Sequence, residues 1–193
     1  MFAGHFGLAA AVKAREPQLP LWSLMLSTQL LDVLFVPLVL TGVETIEPSQ
    51  KVGYGEAIIH ANYTHSLVGA LLIALVAGLV SSRFWGRRGG IVIGAVVFSH
   101  WLLDLLVHHA DLPILPGNAG NLPLLGFGLW SLPLLTMVIE LGMVIVGGIM
   151  YFRSARERVG DKGSQLMSRA NLAGTVVTVL MVLALVSDVL GIG

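Results

Sequence analysis

Long apolar runs restrict the fold of this chain more than any other feature of its sequence. Five stretches reach about 20 residues, the length that an α-helix needs to cross roughly 30 Å of hydrocarbon; they cover residues 21–43, 58–80, 90–110, 129–152 and 170–190. Only 11% of the 193 residues are charged and 55% are apolar, which leaves too little polar surface for a water-soluble domain. The sequence therefore predicts an all-α, polytopic transmembrane helix bundle with five full spans.

A further apolar segment, residues 2–12, is about half as long as a span requires. No basic region precedes it and no clear small-residue cleavage site follows before Lys13 and Arg15, so we do not expect a signal peptide. We predict a short N-terminal helix, either packed in the bundle or re-entrant. Because the sequence shows no internal repeat and no long linker, residues 1–193 are predicted to form a single integral membrane domain.

The basic residues predict the orientation in the membrane. Eleven Lys and Arg balance eleven Asp and Glu, but the basic residues fall on one side of the predicted path, with Lys51 as the exception. By the positive-inside rule, loops 82–89 and 153–169 are cytoplasmic and the protein belongs to the inner membrane of a cell. Loops 44–57 and 111–128 then face outward. The balanced charge gives no indication of a nucleic-acid partner.

Histidines gather on the outer side of this path. The six are His5, His60, His65, His100, His108 and His109. In the third span, His100, Asp104 and His108 are spaced i, i+4, i+8, so they share an arc of about 80° on a helix. Ligands on adjacent turns are also how two histidines bind zinc in many proteases. The sequence has no cysteine, so a metal site would be built from His and carboxylates.

Carboxylates also lie inside the spans, where no Lys or Arg accompanies them: Asp32, Asp104, Glu140 and Asp188. Each would cost about 2.5–3.5 kcal/mol if unpaired, so we expect protonation, a hydrogen bond or a bound cation. For Glu140 we favour a neutral helix-packing role over that of a proton acceptor.

Three local features are also predicted. Pro37 frees the carbonyl of Val33 from its helical hydrogen bond, which allows a bend of the first span next to Asp32. Asn62 should cap the second helix, with His60 folding back toward His65. Close helix packing is expected at the glycines of the fourth span, which are Gly142, Gly147 and Gly148.

In its histidine and aspartate motifs, the sequence resembles a family of bacterial inner-membrane, metal-dependent hydrolases (the LexA-binding, inner-membrane-associated hydrolases). The family's Gly-His motif is matched by Gly4 and His5, and its next Asp by Asp32. Its His-x-x-x-Thr-His-Ser and Ser-His-x-x-x-Asp motifs are matched by residues 60–66 and 99–104. The family has Arg where this chain has Ala61, Thr where it has Val107, and a further Asp and His after the first Asp, where this chain is apolar.

The residue pattern and the resemblance together favour a metal-dependent membrane hydrolase. The expected ligands of one or two divalent ions, zinc being favoured, are His5, Asp32, His60, His65, His100 and Asp104. The ion would acidify a bound water and polarise the substrate, with Asp32 or Asp111 accepting the proton. The depth of the site in the outer leaflet suggests a lipid-like ester or phosphoester.

Two other classes of function stay open at this point. A transporter or proton relay would also place His and Asp within spans. A non-catalytic subunit of a membrane complex would use its histidines to bind metal, haem or pigment. The sequence also leaves open an oligomer or a larger assembly.

Overall fold

A computed structural model describes residues 2–47, 58–160 and 162–190, and it is mostly helical. The elements in chain order are α1 (Phe2–Arg15), α2 (Leu21–Thr28), α3 (Leu30–Leu40), β1 (Thr45–Glu47), β2 (Ile58–His60), α4 (Leu67–Val107), α5 (Pro133–Val159) and α6 (Ser164–Leu190). Single-turn 3₁₀ helices occupy Pro116–Asn118 and Leu129–Ser131. Lys51 and most of the predicted outer loop 44–57 lie outside the described residues.

The predicted helical, multi-pass membrane protein is confirmed at the level of helix length and composition. Among the described residues, α4, α5 and α6 are each long and apolar enough to cross a membrane. The broken pair of α2 and α3 adds a fourth crossing if it counts as one span. The break falls at Gln29, whereas α3 continues through Pro37. The 51° bend between α2 and α3 lies at this break, and a bend at Pro37 itself stays a prediction.

The chain divides into two compact units, and the first consists of Met1–Met25 and Met137–Gly193. In this unit α1 runs parallel to α5, because Gly4 N donates to Glu140 Oε1 (3.3 Å) near one end and Ser154 Oγ donates to the carbonyl of Ala14 (3.1 Å) near the other. The amide of Ala3 donates to Asp188 Oδ2 of α6 at 3.0 Å. Glu140 and Asp188, the acids of the candidate spans α5 and α6, thus accept from amides in the first turn of α1, where helical N–H groups lack partners. The predicted short, packed N-terminal helix is confirmed.

Glycines allow α1 and α5 to approach closely. A Cβ atom at Gly7 would lie 2.6 Å from the carbonyl oxygen of Met143, and one at Gly147 would collide with the backbone of Gly7. A Cβ at Gly148 would lie 3.2 Å from Thr178 Oγ1. Close packing is confirmed for Gly147 and Gly148. It is wrong for Gly142, where no described atom lies within 4 Å of the Cβ position.

The second unit, Leu26–Thr136, contains α3, the β-hairpin and α4. Helix α4 is not straight, since Trp85 and Gly86 have non-helical backbone angles and Gly86 has a φ of 68°. A Cβ at Gly78 would lie 2.9 Å from the carbonyl oxygen of Gly90, although residues this far apart are about 18 Å apart along a continuous helix. Helix α4 therefore folds back on itself as two antiparallel halves.

The start of α4 differs from the prediction. Residues 58–60 are not helical but form β2, which pairs antiparallel with β1 and sets Ile46 opposite Ile59. The helix begins at Leu67, and its cap is Ser66, whose Oγ accepts from the amide of Gly69 at 3.0 Å. The predicted cap at Asn62 is wrong. The amides of Leu67 and Val68 donate to carbonyls of the 111–128 loop, at 2.9 and 3.1 Å, so this loop covers the N-terminus of the helix.

Candidate metal centre

Four side chains of the second unit converge, and we call them the His/Asp cluster: Asp32, His65, His100 and Asp104. The Nε2 atom of His100 lies 2.9 Å from Asp104 Oδ2, 3.3 Å from His65 Nε2 and 3.5 Å from Asp32 Oδ1. The Nε2 atom of His65 lies 3.4 Å from Asp32 Oδ1 and 3.6 Å from Asp104 Oδ2. Two imidazole nitrogens are thus flanked by two carboxylates within a space of a few ångströms.

Three segments of the chain place these groups. His100 and Asp104 occupy successive turns in the second half of α4, as their i, i+4 spacing predicts. Asp32 lies in the first turn of α3. His65 immediately precedes the cap of α4 and is held there because the indole Nε1 of Trp101 donates to its carbonyl at 2.8 Å. The ring of Phe35 also packs edge-on against the His65 imidazole, with centroids 5.7 Å apart.

The contact of His100 Nδ1, the ring nitrogen that faces away from the cluster, determines that Nε2 faces the cluster as a hydrogen-bond acceptor. His100 Nδ1 lies 2.5 Å from the carbonyl oxygen of Thr28. A carbonyl only accepts hydrogen bonds, so Nδ1 is the donor, and in the neutral ring the lone pair is then on Nε2. That lone pair meets Asp32, Asp104 and a second imidazole. Such an approach is favourable only when a proton or a metal ion lies among the acceptors.

The spacing of Asp32, His65 and His100 fits three ligands of one tetrahedral ion. Nitrogen and oxygen ligands about 2.0–2.2 Å from zinc lie about 3.3–3.6 Å from one another in a tetrahedron. The three distances among Asp32, His65 and His100, which are 3.3, 3.4 and 3.5 Å, fall in this range. Asp104 lies 2.9 Å from His100 and 3.6 Å from His65. Three of these side chains are at most 5% exposed, but Asp32 is 40% exposed. These buried His/Asp groups can therefore hold a metal ion, with an open side at Asp32.

A second histidine–carboxylate pair lies beside the cluster. His108 Nδ1 lies 3.0 Å from Asp111 Oδ1, and His108 Nε2 lies 4.0 Å from Asp104 Oδ2. The ring of Trp130 covers His108, with centroids 4.2 Å apart. Asp111, one of the predicted proton acceptors, therefore contacts His108, which the motif comparison left without a counterpart.

One predicted ligand, His60, lies outside the cluster. His60 is on β2, where its Nε2 lies 3.2 Å from Glu47 Oε1 and 41% of its side chain is exposed. The structure thus pairs it with the hairpin and does not bring it into the His/Asp cluster. His5 is buried on α1 in the first unit, and its part in a metal site stays a prediction.

Sequence reasoning missed three groups that hold the histidines: the Thr28 carbonyl, Thr64 and Glu44. The Oγ1 atom of Thr64 lies 2.9 Å from His65 Nδ1 and 2.9 Å from Glu44 Oε2. A backbone carbonyl carries no sequence signal. Thr64, by contrast, lies inside the His-x-x-x-Thr-His-Ser motif, and Glu44 is a carboxylate directly after an apolar run. The sequence therefore carries a signal for both residues.

Comparisons of the chain with protein-family models, curated proteins and solved structures gave no match. The resemblance to metal-dependent membrane hydrolases therefore rests on the motif residues alone and stays a hypothesis. The geometry of the second unit is the independent observation on which a function can be based.

Proposed function

We propose that this protein is a metal-dependent membrane hydrolase whose second unit holds a divalent ion between Asp32, His65, His100 and Asp104. The observation that carries the metal site is the convergence of two imidazole Nε2 atoms and two carboxylates at 2.9–3.6 Å. A mixed nitrogen and oxygen set without thiolates suits zinc, and iron or manganese would also be accepted. Acidic side chains in an apolar helix are costly alone, and a bound cation offsets that cost.

Hydrolysis is supported by the open side of the cluster and by the family resemblance. Structural zinc sites are closed by four protein ligands, whereas catalytic sites keep a position for water or substrate. The ligand atoms of Asp32, His65 and His100 form one set of three, and such a set, in which Asp32 is 40% exposed, suits the second kind. When bound, the ion would supply Lewis-acid activation of water and of a carbonyl or phosphoryl oxygen. The substrate we propose is a lipid-like ester or phosphoester.

His108 is the group we assign to proton transfer. Its Nδ1 donates to Asp111 at 3.0 Å, which leaves Nε2 as an acceptor 4.0 Å from Asp104. An imidazole oriented by a carboxylate on its far nitrogen is a common general base. Asp111 then orients His108 and does not itself take the proton from the reacting group.

The fold and the charges support a placement of the protein in the membrane. Each antiparallel half of α4 is about long enough to cross the hydrocarbon, so counting the halves separately gives five crossings in an inner membrane. The loops 82–89 and 153–169 would be cytoplasmic. The His/Asp cluster, at the opposite end of α4 from the turn at Gly86, then lies in the outer half.

Metal analysis and an activity assay on the same preparations test both parts of the proposal. Wild-type protein purified without chelator should carry stoichiometric metal, His100→Ala should carry little, and His109→Ala is the matched histidine control. Wild-type protein should also hydrolyse some member of a panel of carboxylic esters, phosphoesters and phospholipids, with activity lost on chelation and restored by zinc. Wild-type protein without metal would overturn the site; metal without hydrolysis of any ester would overturn the enzyme.

A further inference from the structure

Glu44 is a buried carboxylate next to the His/Asp cluster but not in it. It follows α3 and is 1% exposed. Its Oε1 atom accepts from the backbone amides of Tyr63 (2.7 Å) and Thr64 (2.9 Å), and both of its oxygens lie within 3.1 Å of Thr64 Oγ1. Burial of a carboxylate is costly unless it is hydrogen-bonded, and these contacts satisfy it.

The contacts of Thr64 assign the hydrogens. A threonine hydroxyl has one hydrogen, and a carboxylate only accepts. The Thr64 hydroxyl therefore donates to Glu44 and must accept from its other neighbour, His65 Nδ1, at 2.9 Å. The hydrogen of the neutral His65 ring is then on Nδ1, and the lone pair on Nε2 points into the cluster, as it does in His100.

We propose that Glu44, acting through Thr64, is a positioning residue that fixes the tautomer of His65 and thereby sets the metal affinity of the cluster. The inference rests on the proposed metal site, and it adds residues that contact a proposed ligand of the metal but not the metal itself. Outer groups that orient metal-binding histidines typically change metal affinity by 10–100-fold when they are mutated. The corresponding partner of His100 is a backbone carbonyl, so the Glu44–Thr64 contact is the one that side-chain substitution can test.

Glu44→Gln reverses the polarity of this contact with little change in shape. The amide oxygen can keep the two backbone donors, and the amide nitrogen then donates to Thr64 Oγ1. The hydroxyl becomes able to donate to His65 Nδ1, which stabilises the tautomer with its hydrogen on Nε2, pointing at the metal position. Glu47→Gln is the matched control, because Glu47 is an exposed glutamate three residues further along the chain and its partner is His60.

The experiment combines Co²⁺ titration with ¹⁵N NMR of histidine-labelled protein in detergent. We expect Glu44→Gln and Thr64→Val to bind Co²⁺ about 10–100-fold more weakly than wild type, and Glu47→Gln and Thr64→Ser to bind as wild type does. In metal-free wild type the His65 hydrogen should be on Nδ1, and in Glu44→Gln the Nε2–H form should increase. The wild-type spectrum needs no variant, so it decides the assignment even if Glu44→Gln does not fold.

Three results would overturn the inference. The first is a His65 hydrogen on Nε2 in metal-free wild type. The second is weaker Co²⁺ binding in Glu44→Gln with an unchanged tautomer, because that is what a merely structural role gives. The third is equal Co²⁺ affinity in wild type and Glu44→Gln, which would leave the metal site standing. Wild-type protein that takes up no Co²⁺ would instead overturn the metal site itself.

Discussion

Replacing His100 by alanine should remove most of the stabilisation that zinc gives to this protein. His100 Nε2 approaches all three other members of the cluster, at 2.9, 3.3 and 3.5 Å. Without it, the cluster keeps the imidazole of His65, whose Nε2 lies 3.4 Å from Asp32 and 3.6 Å from Asp104. Loss of a ligand should reduce affinity by at least 100-fold, the upper end of the effect of mutating an outer group.

The size of the effect follows from linkage. A ligand that binds only the folded state stabilises it by about 2.7 kcal/mol at 100 times its Kd. For a chain of about this length, 1 kcal/mol corresponds to about 2–4 °C in Tm, so zinc at that concentration should raise the wild-type Tm by about 5–11 °C. With a 100-fold weaker site, the same zinc concentration gives about 0.4 kcal/mol, or about 1–2 °C.

Thermal unfolding in detergent, followed by tryptophan fluorescence, measures both shifts against chelator-treated protein. A cooperative transition of chelator-treated His100→Ala shows that the variant is folded, so a missing zinc shift cannot be attributed to unfolded protein. His109→Ala should shift as wild type does, because His109 is a neighbouring histidine outside the cluster. Equal zinc shifts in wild type and His100→Ala would refute the assignment of the metal to this cluster.

Three further substitutions test the placement of other residues. His60→Ala should keep the full zinc shift, since His60 pairs with Glu47 on the hairpin; a lost shift would make it a ligand, as the sequence predicts. Gly7→Ala should lower the free energy of unfolding by about 1–3 kcal/mol through overpacking, because its Cβ would lie 2.6 Å from the Met143 carbonyl. Gly142→Ala, with open space around it, should be neutral or slightly stabilising in the same unfolding assay.

Hydropathy predicts the apolar helices well but not where they begin. Ile58 and Ile59 continue the apolar run of the second predicted span, yet they pair with β1, and the helix starts only at Leu67. A strand and a helix over these residues would contain the same apolar side chains. The choice between them depends on the strand partner β1 and on the Ser66 cap. Short apolar runs of β-branched residues are ambiguous between strand and helix for this reason.

The site is partly predictable for a similar physical reason. Helical spacing alone brings His100 and Asp104 to 2.9 Å, because residues at i and i+4 are neighbours on one face. That Asp32 and His65 join them depends on how α3 and the segment before α4 fold against that face, which periodicity does not encode. His60 shows the limit, since its motif position suggests a ligand and its strand directs it to Glu47.

Helix ends provide the contacts that orient both histidines. Thr28 is the last residue of α2, and its carbonyl accepts from His100 Nδ1; in a helix continued through Gln29 that carbonyl would instead accept from the amide of Asp32. His65 likewise lies just before the first turn of α4, where Thr64, itself hydrogen-bonded to Glu44, contacts its ring. Regular spans would satisfy their own backbone groups and leave neither tautomer fixed. The break at Gln29, which looks like a defect in an apolar span, is therefore required for the proposed metal site.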